Sequence, residues 1–134
     1  MADSADVIDS ILKDCKVIAV VGCSREPGKP SHDVPAYMQS KGYRIIPVNP
    51  FADVILGEKV YKKLVDIKDA VDVVDVFRPG SETPSIAAEA LHIHAKALWL
   101  QEGIANDEAR RIAEDGGMLF VMDRCMMKEH DRRA

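Results

Sequence analysis

Val17-Ile18-Ala19-Val20-Val21-Gly22-Cys23-Ser24-Arg25-Glu26-Pro27-Gly28-Lys29-Pro30-Ser31 is the stretch on which the reading of this chain turns. Val17–Val21 is a continuous apolar, mostly β-branched run, which suits a strand buried on both faces of a parallel sheet. At Gly22 it breaks into a loop of small, cationic and Pro/Gly residues, and an amphipathic helical pattern resumes after Ser31. A strand, a small-residue turn and a helix start make a phosphate site when free backbone N–H groups and the positive helix end face the same anion. Arg25 and Lys29 add mobile positive charge there. The same residues also fit an ordinary βα turn, and this segment alone leaves both readings open.

Working outward, Val7, Ile8, Ile11 and Leu12 form one apolar face of a short helix that Ser4 would cap. The helix after the loop is expected to start between Ser31 and Asp33, either of which can cap it. It carries Val34, Tyr37, Met38 and Lys41 on one side and stops at Gly42. Tyr43–Val48 reads as a second strand, 53–60 as a hairpin or irregular excursion turning at Gly57, and 64–69 as a connector. Val71–Phe77 is a third strand. Thr83-Pro84 starts a helix lined by Ile86, Ala87, Ala90, Leu91 and His94, since proline suits the first helical turn. Ala97–Leu100 is a fourth strand, Asn106 caps a helix closed by Gly116-Gly117, and Met118–Met122 is a fifth strand. Residues 125–133 form a short terminal helix or tail. Strands alternating with helices predict one α/β domain over residues 1–134, Rossmann-like, with a mostly parallel five-stranded sheet flanked by helices.

The chain has 134 residues, 47% hydrophobic and 30% charged, which is ample for one globular core. A net charge of −4 gives no default attraction to nucleic acid, and no apolar run reaches membrane-helix length. The acidic start Met1-Ala-Asp-Ser-Ala-Asp6 lacks the layout of a signal peptide, so a cytoplasmic location is expected. Three cysteines without a C-x-x-C pair argue against a disulfide scaffold or zinc finger. Cys15 reads as a packing residue, His92 and His94 as structural, His32 as an exposed side chain, and Lys128, Arg132 and Arg133 as a solvated tail. His130 with Cys125 is too small a set for a metal site.

Ligands of open α/β sheets bind at the C-terminal strand ends. Here these are Gly22-Cys23-Ser24, Asn49-Pro50, Arg78-Pro79, Gln101-Glu102-Gly103 and Asp123-Arg124-Cys125. An NAD fingerprint would need glycines where Ser24 and Pro27 stand, and an acid after the second strand where Asn49-Pro50 stands. A P-loop is excluded too, because Lys29 lacks the required glycine spacing and no Ser or Thr follows it directly.

Taken together, Val21-Gly22-Cys23-Ser24 with Pro30-Ser31, Pro47-Val48-Asn49-Pro50, Val76-Phe77-Arg78-Pro79, Trp99-Leu100-Gln101-Glu102-Gly103-Ile104 and Asp123-Arg124-Cys125 resemble the CoA-binding domain family. These are small stand-alone proteins similar to the N-terminal domain of the succinyl-CoA synthetase α subunit. The resemblance runs from about Cys15 to His130. It implies coenzyme A, or an acyl-CoA, laid across the strand ends. Phosphates would lie near Gly22, Cys23, Ser24, Arg25, Lys29 and Ser31, with adenosine near Asn49, Pro50, Phe77 and Arg78. The pantetheine side would lie near Leu100, Gln101 and Glu102. Cys23 stands where the family resemblance leads one to expect alanine or another small apolar residue. The synthetase relatives carry their catalytic histidine in a second domain not found in these residues, so CoA-ligase activity is not expected.

Cys23 and Cys125 both fall on the rim. A cysteine beside a helix N-terminus and cations can be reactive, and strand order favours Cys125 as the one near the CoA thiol. No Ser/His/Asp set, carboxylate pair or metal cluster stands out, which favours binding without catalysis. A Rossmann-type enzyme using a nucleotide for redox or group transfer is the alternative, and a pure interaction module a third. A protein partner or a second copy of the chain is compatible with the sequence.

Overall fold

The computed structural model describes residues 4–134, and the side chain of Ser4, the expected cap, lies outside the described residues. The chain runs α1 (Ser4–Asp14), β1 (Val17–Val21), α2 (Pro30–Ser40), β2 (Arg44–Val48), β3 (Val54–Ile55), β4 (Glu58–Lys59), β5 (Val73–Val76), α3 (Thr83–His92), β6 (Ala97–Leu100), α4 (Asp107–Asp115), β7 (Leu119–Val121) and α5 (Met126–Arg133). Short 3-10 turns at Leu64–Asp66 and Gly80–Glu82 precede β5 and α3. The five long strands form one sheet in the order β2-β1-β5-β6-β7, and every pairing in it is parallel. The Rossmann-like expectation is met, with "mostly parallel" tightened to wholly parallel. The 53–60 segment is the hairpin β3–β4 turning at Gly57.

Side chains alternate across each strand, which divides the core into two layers. Ile18, Val20, Val73 and Trp99 pack against α1, α2 and α5; Ala19, Val74, Val76, Leu98 and Leu100 pack against α3 and α4. Trp99 satisfies its buried indole N–H on the Arg124 carbonyl at 2.8 Å. Tyr43 likewise donates its hydroxyl to the Leu12 carbonyl at 2.6 Å.

From β1 the chain moves outward to β2, then crosses back to β5 on the other side of β1. The helices that follow β1 and β5, α2 and α3, therefore lie on opposite faces. Their divergence opens a crevice at the strand ends, the place where ligands of this architecture bind.

Three local expectations are corrected. Helix α2 starts at Pro30, with Lys29 at the cap position and no side-chain cap; the fixed φ of proline suits that first position. Asp33 instead takes the Gly28 N–H at 3.0 Å and Nδ1 of His32 at 3.2 Å. Lys41 and His94 lie past the ends of their helices and are exposed. The basic C-terminal run is a helix rather than a tail: Lys128, Arg132 and Arg133 stay exposed, but α5 buries Met126, and Arg133 pairs with Asp9 of α1 and with Glu129. Arg132 also pairs with Glu129, so that buried carboxylate has two cationic partners.

Candidate functional site

Gly22 follows β1 at φ +83, in the left-handed region that glycine adopts without steric cost. A Cβ there would sit 2.9 Å from the Phe77 carbonyl oxygen and 3.0 Å from Cδ of Arg78. The β1 and β5 ends thus touch and form a ridge. On one side lies an inner cleft of about 400 Å³ between the start of α2, the end of β6 and α5. Val34, Phe77, Ile104, Cys125 and Met127 give it apolar walls, and Asp33, Gln101, Glu102 and Lys128 its polar groups. On the other side lies an outer cleft of about 520 Å³ with Gly22, Asn49, Pro50, Phe51 and Leu64 around it. Lys62, Lys63, Arg78, Glu82 and Glu89 are its charged residues.

The structure brings the expected residues to this rim but commits many of them to one another. Within the glycine loop, Ser24 N–H donates to the Ser31 carbonyl at 3.0 Å and Glu26 N–H to Ser24 Oγ at 3.0 Å. With Gly28 N–H on Asp33, these amides are not the free donors expected of a phosphate cradle. Positive charge at the loop rests on exposed Arg25 and on Lys29, which pairs with Glu26 at 2.9 Å. Arg78 is held by Glu82 through two bonds of 3.2 and 2.8 Å, and this pairing raises its pKa further. Asn49 braces the site: its Nδ2 donates to the Cys23 carbonyl at 2.9 Å, and its Oδ1 accepts from Phe51 N–H at 2.7 Å. Pro50 is exposed beside it.

On the inner side, Leu100 is wholly buried in the α3/α4 layer, so its side chain faces the core rather than the cleft. Gln101 lines the cleft but is only 3% exposed. Its Nε2 donates to Asp75 Oδ1 at 2.6 Å, while its Oε1 accepts from Met126 N–H, the first amide of α5, at 3.3 Å. Glu102 reaches across to Lys128 at 2.9 Å and closes an ion pair over the cleft mouth.

The two rim cysteines separate. Cys23 has no exposed surface, and burial, with nearby Asp75, pushes its thiol up to about 12. Cys23 therefore fills space beside the turn rather than acting as an activated thiol, because desolvation opposes the thiolate. Cys125 is buried but stands on the inner cleft wall. His130 is placed by Tyr37, whose hydroxyl lies 2.9 Å from Nδ1, and no group of three or more metal-ligating side chains occurs among the described residues.

Sequence reading did not assign Phe51, Lys62, Lys63, Met127 or Lys128 to a cleft, nor mark Asp75, which holds Gln101 from behind. Only Asp75 carried a legible signal, as a lone acid inside the apolar run Val73-Val74-Asp75-Val76. No described helix is long and apolar enough to cross a membrane.

The chain as a whole is similar to known proteins. The Bacillus subtilis protein YneT is 42% identical over 123 residues, covering 92% of this chain and 91% of that protein. The ADP-forming acetate–CoA ligase II of Archaeoglobus fulgidus is 34% identical over 101 residues, 74% of this chain but 15% of the ligase. A solved structure from Thermus thermophilus superposes with a TM-score of 0.90 at 38% identity, covering 98% of both chains. One from Pyrococcus horikoshii does so with a TM-score of 0.92 at 37% identity, covering 98% of this chain and 92% of that one. The family model described as CoA binding domain matches residues 16–131, and the chain belongs to that family.

Proposed function

We propose that this protein binds coenzyme A or an acyl-CoA across the β1–β5 ridge and performs no catalysis of its own. The observation that carries this reading is the pair of unlike clefts sharing one glycine ridge. The outer one offers cations for a phosphorylated nucleoside, and the inner one offers apolar walls and an amide for a pantetheine arm. Arg25 and Lys29 stand beside them for the diphosphate. Titration calorimetry with CoA and NAD is the test, with CoA expected to bind more tightly. Tighter NAD binding would overturn the proposal in favour of a Rossmann-type redox enzyme. Arg25→Ala should weaken CoA by about 1–3 kcal/mol, the scale of a charge-assisted contact.

Cys125 sets a second expectation. In this pose the CoA thiol end reaches the inner cleft. With the symmetrical CoA disulfide as oxidant, the Cys125 thiolate attacks one sulfur, forms a mixed disulfide and releases one CoA thiolate. Intact-mass analysis should show one CoA-sized adduct on wild type and Cys23→Ser, and none on Cys125→Ser. An adduct that survives Cys125→Ser but is lost in Cys23→Ser would place the thiol end elsewhere, and no adduct on any form would overturn the mixed disulfide and leave simple noncovalent binding.

A further inference from the structure

We propose that Asp75 couples the inner cleft to pH: filling the cleft favours the protonated carboxyl, so the protein takes up a proton as the arm of its ligand enters. This rests on the CoA reading above and goes past it, because binding alone calls for no titrating group. Asp75 is 1% exposed, on the central strand of the sheet, with Val20 and Trp99 as its register partners. Gln101 stands between its carboxyl and the inner cleft: it lines the cleft, and its Nε2 donates to Asp75 Oδ1 at 2.6 Å. The amide is fixed from both ends, since its Oε1 accepts from Met126 N–H at 3.3 Å and a flipped amide would set two donors against each other. Asp75 Oδ1 accepts in either protonation state, so titration changes the charge behind the cleft and keeps this bond.

No cation among the described residues offsets that charge. The Cys23 thiol, just past β1, feels it, and burial keeps that thiol neutral, pushed up to about 12. Helix α1 turns Ile8 and Ile11 to this layer and leaves Asp6, Asp9, Lys13 and Asp14 exposed. On α2, Asp33 is taken by Gly28 N–H and His32. Glu102 and Lys128 pair with each other at the cleft mouth, and Glu129 of α5 pairs with Arg132 and Arg133. Burial therefore pushes Asp75 up to about 7, against the Gln101 and Val76 hydrogen bonds. An ionised carboxylate needs more donors than these, and the cleft beyond Gln101 is where water supplies them. A pantetheine arm seated there expels that water and makes the charge costlier, so the complex keeps the proton to higher pH. Below about pH 7 free and bound protein both carry the proton and affinity is level. Above it the free protein has lost a proton that the complex keeps, so affinity falls as pH rises.

The test is calorimetry across pH with CoA and with adenosine 3′,5′-bisphosphate, which carries base, ribose and phosphates without the arm, on wild type and Asp75→Asn. Asparagine accepts from Gln101 as the acid does and cannot ionise. The ratio of wild-type to variant affinity thus cancels the titration of the ligand's own phosphates. For CoA this ratio should be close to its plateau at pH 6 and about 5-fold lower by pH 8, whereas for the bisphosphate it should stay level. Wild type alone gives a second measurement, independent of how the variant folds. At pH 7.5, heats in buffers of different ionisation enthalpy should show more proton uptake with CoA than with the bisphosphate. A CoA ratio that does not vary with pH, an equal fall for both ligands, or no excess proton uptake would overturn the coupling and leave CoA binding intact. Failure of wild type to bind CoA at any pH would instead overturn the CoA reading itself.

Discussion

Replacing Asp75 by asparagine is expected to leave stability nearly unchanged near pH 4 and to make the protein increasingly more stable than wild type up to about pH 7. Asp75 is 1% exposed and sits in β5 between Val20 of β1 and Trp99 of β6. Burial pushes its carboxyl from 3.8 up to about 7, against the opposing pull of the Gln101 and Val76 hydrogen bonds. Between those values the folded protein keeps a proton that the unfolded chain has lost. Stability therefore falls as pH rises through that window and levels off above it. A shift of this size corresponds to something on the order of 4 kcal/mol at the plateau. Asparagine keeps an oxygen for Gln101 and cannot ionise, so it escapes the loss. Urea unfolding of both proteins at half-unit steps from pH 4 to 8 checks this. A difference that does not vary with pH would show that Asp75 carries no such penalty.

The second large effect is at the ridge. Gly22→Ala should destabilise the protein by about 2–3 kcal/mol, against about 1 kcal/mol for Gly28→Ala. Both glycines have positive φ, +83 and +98, so the backbone strain is comparable. They differ in surroundings: nothing lies within 4 Å of a Cβ at Gly28, whereas at Gly22 it meets the Phe77 carbonyl at 2.9 Å. That oxygen belongs to backbone just past β5 and cannot turn aside as a flexible side chain would, so the two strand ends must part. CoA affinity should fall with stability in Gly22→Ala and hold in Gly28→Ala. Denaturant midpoints and calorimetry on the pair read both effects, and equal losses would mean that the β1–β5 contact has no special weight.

The parts of the fold that were legible are those written locally. Val17–Val21 and Ala97–Leu100 are apolar runs too short for helices, and they fold as strands over those residues. Asn106 caps α4 through the Ala109 N–H, as its position before an amphipathic run implies. Strand order then follows from packing, so the rim could be assembled from five strand ends. What sequence could not supply is how polar groups choose partners once the rim exists. Lys29 takes Glu26, Arg78 takes Glu82, and the loop amides close on one another. Lys63 reaches the site only because the β3–β4 excursion returns beside β2, where Tyr61 bridges Val48. Arg133 looked like part of a loose tail because the α1 carboxylate that anchors it lies 124 residues earlier in the chain.

That last separation bears on the order in which the molecule is made. β1 must wait for Arg44–Val48 to gain its first neighbour and for Val73–Val76 to gain its second. The contacts of α5 with α1 are more distant still, and closing such long loops is slow. Docking of α5 is therefore expected as the final assembly step and its amides as early to exchange in deuterated solvent, ahead of those in β1 and β5. Because Cys125, Met127 and Lys128 reach the inner cleft only through α5, half of the site comes into being with the last helix, and pulsed exchange during refolding would see it arrive last.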